Sequence, residues 1–157
     1  METESIIEQI KKLCFSQNLD EISSHNFMID ELANMLRNNS YDVVFQYPLN
    51  AYSAIDTRTE ERVTKKGLID LMAFKGNQTI AIEFDHKLHL KFKSIEKLLD
   101  SDAKTLIGIV KGRASPDLLE ENKQRIISRM KELYVINKRI LLIIMSEKTA
   151  VDISLEK

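Results

Sequence analysis

Two apolar runs, four residues apart, constrain this chain more than any other feature: 67–74 (GLIDLMAF) and 79–87 (TIAIEFDHK). Lys75, Gly76, Asn77 and Gln78 separate them, a tight-turn composition that predicts an antiparallel hairpin. Asp70 sits inside the first run, and Glu83 and Asp85 close the second. Alternation along a strand puts Asp70 on one face with Leu68 and Met72. It puts Ala81, Glu83 and Asp85 on one face of the next strand, with Ile80, Ile82 and Phe84 on the other. In a hairpin turning at 75–78, Asp70 and Glu83 are equally far from the turn and lie across from one another. Two ionised carboxylates so placed repel each other, and unpaired charge is expensive to bury. A divalent cation held by one or two carboxylates resolves the conflict.

The rest of the chain supplies the scaffold. Ile6, Ile7, Ile10, Leu13 and Cys14 recur at helical spacing, and Phe27, Met28, Leu32, Met35 and Leu36 do so again over 26–38. His25 precedes this second helix, with Asn26 as its expected cap. Residues 41–47 (YDVVFQY) predict a strand ended by Pro48. Residues 49–66 are polar and without period, and are expected to form either a solvated hairpin extension or a substrate-contacting loop. A helix is expected over 92–101. Residues 105–110 (TLIGIV) and 140–145 (ILLIIM) are continuous apolar runs, the mark of strands buried on both faces. Between them Ser115-Pro116-Asp117 has the form of a helix start, and the helix is expected to run to Tyr134. The expected order is α-α-β-β-β-α-β-α-β: an α/β fold, a mixed β-sheet flanked by helices, in one domain with N-terminal helices at 1–38 and a core at 41–146.

Composition narrows the function classes. The chain has 157 residues and a net charge of −1, which argues against a surface built wholly for polyanions. Between 62 and 97, however, Arg62, Lys65, Lys66, Lys75, Lys87, Lys91, Lys93 and Lys97 outnumber Asp70, Glu83, Asp85 and Glu96, a local basic patch that could track phosphates. The single cysteine, Cys14, excludes an intramolecular disulfide and is expected in the core. No run has the length of a membrane span, and the N-terminus lacks the form of a signal peptide, so a cytoplasmic protein without membrane contact is expected. No Gly-rich phosphate loop, Gly-x-Ser-x-Gly or paired-cysteine motif is present, which leaves nucleoside-triphosphate hydrolysis, serine-hydrolase chemistry and zinc fingers unsupported. His86 and His89 flank Lys87 and are expected to be an exposed loop pair.

The 67–99 stretch resembles the PD-(D/E)xK nuclease superfamily, the restriction-endonuclease-like fold. That family's α-β-β-β-α-β core corresponds to the elements expected over 26–110. The resemblance implies that Asp70 and Glu83 hold Mg²⁺ (or Mn²⁺), with the backbone carbonyl of Phe84 as a further ligand and Glu31, from the preceding helix, as a weaker candidate. It implies cleavage of nucleic acid, DNA in the first instance, with Lys65, Lys66, Lys91 and Lys97 along the substrate. Homodimers or larger assemblies are common among such proteins. Ile69 replaces the name-giving proline. Asp85 stands where the motif expects lysine, two positions after Glu83. Either the motif shifts to Asp85-His86-Lys87, or the ammonium comes from the following helix, where Lys93 ranks ahead of Lys91 and Lys97. A further alternative is a module of the same fold that binds without cutting. The last is a small α/β protein whose carboxylates pair structurally with Lys65, Lys66 or Lys87.

Overall fold

The structure is a computed structural model that describes residues 2–22 and 24–155. Two helices, α1 (Glu2–Phe15) and α2 (His25–Asn38), flank a short 3-10 turn at Leu19–Glu21. Three strands follow: β1 (Asp42–Ile55), β2 (Arg62–Lys75) and β3 (Gln78–Asp85). Then come α3 (Phe92–Asp100), β4 (Thr105–Val110), α4 (Leu118–Glu132), β5 (Arg139–Ile144) and β6 (Thr149–Ser154). The six strands form one mixed sheet whose spatial order repeats the chain order. β1–β2, β2–β3 and β5–β6 are antiparallel; β3–β4 and β4–β5 are parallel, joined through α3 and α4. No helix among the described residues is long and apolar enough to cross a membrane.

Each face of the sheet has its own core. Ile6, Ile10 and Cys14 of α1, with Met28, Leu32 and Leu36 of α2, pack on Leu71, Ala73, Ile80, Ile82, Phe84, Ile107 and Ile109. On the other face Ile95, Leu98 and Leu99 of α3, with Ile126 and Met130 of α4, pack on Met72, Ala81, Leu106, Leu142 and Ile144. β4 and β5 contribute to both cores, which is why their sequences are continuously apolar. Gly108 in β4 allows a close approach: a β-carbon there would lie 2.6 Å from Leu90 Cδ2. Burial pushes the Cys14 thiol up to about 12, so it remains a neutral core side chain.

Four local expectations are corrected. β1 continues through Pro48, which pairs with Leu68, because an edge strand can turn the proline nitrogen away from the ladder. Most of 49–66 therefore belongs to a long β1–β2 hairpin. Its turn is closed by Asp56, whose Oδ1 accepts the amides of Arg58 and Thr59 at 2.8 and 3.2 Å. The α2 cap is Ser24, whose hydroxyl accepts the Phe27 amide, so His25 is the first helical residue and Asn26 caps nothing. α4 starts at Leu118 because Asp117 adopts a left-handed conformation (φ +65°) that no helix can include. A sixth strand, β6, covers the outer edge of β5, where no strand was expected.

Candidate functional site

The β2–β3 ladder runs from Lys75↔Gln78 to Leu71↔Ile82, which makes Asp70 and Glu83 the next pair. There the backbone ladder stops and the two side chains replace it. The Asp70 amide donates to Glu83 Oε2 at 2.6 Å, and the Phe84 amide donates to Asp70 Oδ2 at 2.8 Å. Each carboxylate thus accepts a main-chain N–H from the opposite strand. Across β1, Gln46 stands opposite Asp70, between the pairs Phe45↔Leu71 and Tyr47↔Ile69, at φ +52°. Ile69, next to Asp70, departs from simple alternation. Ile69 and Met72 lie in the same α3/α4 core, so the face shared by Leu68, Asp70 and Met72 is not kept.

Two basic side chains complete a row across the sheet. From α2, His25 Nε2 lies 2.9 Å from Asp70 Oδ2. From α3, Lys97 Nζ lies 2.8 Å from Glu83 Oε1 and donates to the Leu68 carbonyl at 2.6 Å. Gly67 makes room for the lysine stem: a β-carbon there would meet Tyr52 Cε1 at 2.7 Å and Lys97 Cδ at 3.2 Å. Glu83 is only 2% exposed. Burial, and then the charge of Asp70, push its carboxyl up to about 7, against the pull of Lys97. The His25 imidazole is raised above its usual range by its hydrogen bond to Asp70. Even with Lys97 in place, burial and the neighbouring Asp70 hold the Glu83 carboxyl above the usual carboxylate range.

The other expected residues fall elsewhere. Asp85 is buried but points at the start of α3, where Oδ2 accepts the Lys91 amide at 2.8 Å and Lys91 Nζ lies 4.0 Å from Oδ1. β3 ends at Asp85, and the chain bends away. Lys87 is therefore exposed in a loop, and His86 turns to the Ile22 carbonyl at 3.0 Å. The register Asp85-His86-Lys87 accordingly brings neither its acid nor its amine to Asp70. Lys93 is exposed on α3 without an ion pair among the described residues. Glu31 is half-buried, six residues and about 9 Å of helix beyond His25. α2 delivers His25 to Asp70, where Glu31 was expected. Lys65, Lys66 and Lys91 are exposed, as a substrate track requires, whereas Lys97 is buried within the site and corrected from that surface role.

His25 escaped sequence reasoning because nothing local to 24–27 reveals a carboxylate 45 residues away. Lys97 could have been ranked higher. It lies three residues after the buried Ser94, on the flank of the Ile95–Leu98–Leu99 stripe, where a long side chain can reach back over the sheet.

The metal that the resemblance implies can be tested against this donor set. Among the described residues no group of three or more His, Cys, Asp or Glu side chains gathers as a metal site. Two hard carboxylates do meet, Asp70 Oδ1 carries no hydrogen bond among the described residues, and the Phe84 amide faces the same gap. In an extended strand its carbonyl points the same way. Paired hard oxygen donors fit Mg²⁺, which takes one or two carboxylates and keeps several waters.

No family model matches the chain, and no curated protein matches it in sequence. Among solved structures it is similar to the crystal structure of a protein of unknown function, AF1548, with 12% identity over 60% of this chain and a TM-score of 0.40. The match spans about half of that protein, 51% of its length. A likeness this slight carries no argument about function.

Proposed function

We propose that the chain is a divalent-metal-dependent phosphodiesterase that cuts nucleic acid, DNA in the first instance, on a restriction-endonuclease-like core. The observation that carries the reading is the meeting of Asp70, Glu83 and the Lys97 ammonium at the end of the β2–β3 ladder. Asp70 and Glu83 would hold Mg²⁺ or Mn²⁺, with the Phe84 carbonyl beside them. The metal supplies neutralisation of charge on the phosphoryl oxygens and a more acidic bound water. Lys97 holds its ammonium at Glu83, where it favours the ionised carboxylate against burial and stands ready to stabilise negative charge developing on phosphate. Lys97 thereby supplies the amine that Asp85 displaces from the usual position.

A second reading draws on the same bonds. Both Glu83 oxygens, and Asp70 Oδ2, are already engaged within the protein. A closed network of this kind also suits a non-catalytic module whose charges lock the fold. Cleavage assays on plasmid and oligonucleotide substrates with Mg²⁺ or Mn²⁺ separate the two. The nuclease reading expects activity that disappears in Asp70→Ala, Glu83→Ala and Lys97→Ala and persists in Lys87→Ala and Lys93→Ala. Activity that survives Asp70→Ala overturns it.

A further inference from the structure

A cavity of about 820 Å³ lies away from the two acids, outside the carboxyl ends of β3 and β4. Its walls come from four places: the 3-10 turn after α1, the loop after β3, the loop after β4, and α4. Crevices beyond the carboxyl ends of parallel strands are where open α/β sheets bind ligands. The lining is strongly basic, with Lys87, Lys91, Lys111, Arg113 and Arg125 against Asp20 alone. Nearby acids account for little of that charge. Asp85 lies 4.0 Å from Lys91 and its charge also reaches Arg125, and Glu121 takes His89 at 2.7 Å. Lys87, Lys111 and Arg113 carry no ion pair with any described carboxylate. Uncompensated cations converging on one concavity are the electrostatic mark of a polyanion site.

The remaining lining is not what a bare anion needs. Leu19, Leu88 and Ala114 provide apolar wall, and the His86 and His89 rings border it. The volume sits in the roughly 300–1,000 Å³ range of sites for organic ligands, far beyond the needs of phosphate alone. The surface is also held in place. Asn122, fully buried, accepts the Leu90 amide at 2.8 Å and donates to the Leu88 carbonyl at 3.0 Å. Gly112, at φ +71°, turns the second loop and donates its amide to the Lys87 carbonyl at 2.9 Å.

We propose that this cavity binds a phosphorylated nucleoside, with phosphate on Lys87, Lys111 and Arg113 and the base against Leu19 and Leu88. The ligand is a free mononucleotide or the 5′-phosphorylated terminal nucleotide of a strand. The proposal stands independently of the Asp70–Glu83 reading.

The test uses the full chain in EDTA, titrated calorimetrically with adenosine 5′-monophosphate, adenosine and inorganic phosphate. Saturable binding of the monophosphate is expected, with the other two at least about tenfold weaker, because charge-assisted and apolar contacts each contribute. Lys111→Glu combined with Arg113→Glu should weaken it at least about tenfold, while Asp70→Asn leaves it unchanged. Should the Glu pair lower the melting temperature, Lys111→Gln with Arg113→Gln carries the same expectation. Competition by a 5′-phosphorylated oligonucleotide, but not its 5′-hydroxyl counterpart, assigns the strand end; competition by neither assigns the free nucleotide. No saturable binding of the monophosphate, binding indifferent to Lys111 and Arg113, or inorganic phosphate binding equally well overturns the proposal. Failure of metal binding at Asp70 leaves this test standing, and the converse holds.

Discussion

The Asp70 amide donates to the Glu83 carboxylate at 2.6 Å, at the point where the β2–β3 ladder would otherwise have continued main chain to main chain. The second bond, from the Phe84 amide to Asp70, reciprocates it. Two acids thereby become part of the sheet's hydrogen bonding and are locked side by side. Their mutual repulsion is built into the fold, and Lys97 and His25 offset only part of it.

Metal-free protein should lose stability as pH rises. The carboxyl of Glu83, raised from 4.5 to about 7, holds a proton in the native state that the unfolded state has released. Its stabilising contribution is complete below pH 4.5 and disappears as pH passes 7, a change of roughly 3 kcal/mol. His25, also raised, acts in the same direction. Urea denaturation in EDTA from pH 5 to 8 should show the decline, and Glu83→Gln should flatten most of it. A flat wild-type profile would contradict the raised Glu83 carboxyl.

Lys97→Met should be most damaging where Glu83 is ionised. Removing one partner of a buried pair costs about 3–5 kcal/mol when the other retains its charge. At pH 8 the unfolding free energy should fall by that amount, and at pH 5 by much less, because Glu83 can take a proton. Equal losses at both pH values would mean that packing, rather than charge, explains the effect.

Gly67→Ala should disturb the lysine from the other side. The new methyl would lie 2.7 Å from Tyr52 Cε1 and 3.2 Å from Lys97 Cδ, so one of them must move. A loss of about 1–3 kcal/mol is expected from overpacking. Thermal melting of Gly67→Ala alone and with Tyr52→Leu forms a cycle in which the double variant should recover part of the loss.

Much of the fold was legible because it rests on pattern. The 105–110 and 140–145 runs announced β4 and β5, and the turn at 75–78 fixed the pairing that sets Asp70 against Glu83. β6 was missed because its pattern, half-buried with one buried isoleucine, is faint. The length of β1 was missed because a proline usually ends a strand, and only its edge position spares it. In the site, the acids were legible as carboxylates in apolar runs. Their basic partners were not: His25 and Lys97 arrive from helices on opposite faces, and only packing decides which way those helices turn.

Asn122→Ala should loosen the loop between β3 and α3. It leaves the Leu90 amide and the Leu88 carbonyl without the bonds that the buried amide provides. About 2–3 kcal/mol of lost stability is expected from these unsatisfied groups. Hydrogen exchange should show the Leu90 amide losing protection first, while amides of β4 stay protected.

Calorimetric titration of the full chain with Mn²⁺ or Mg²⁺, alongside Asp70→Asn, tests the central claim most directly. The account predicts saturable binding to the wild type, a rise in melting temperature as the site fills, and loss of both in Asp70→Asn. Binding absent from the wild type, or equal in the two proteins, would contradict a metal centre at Asp70 and Glu83.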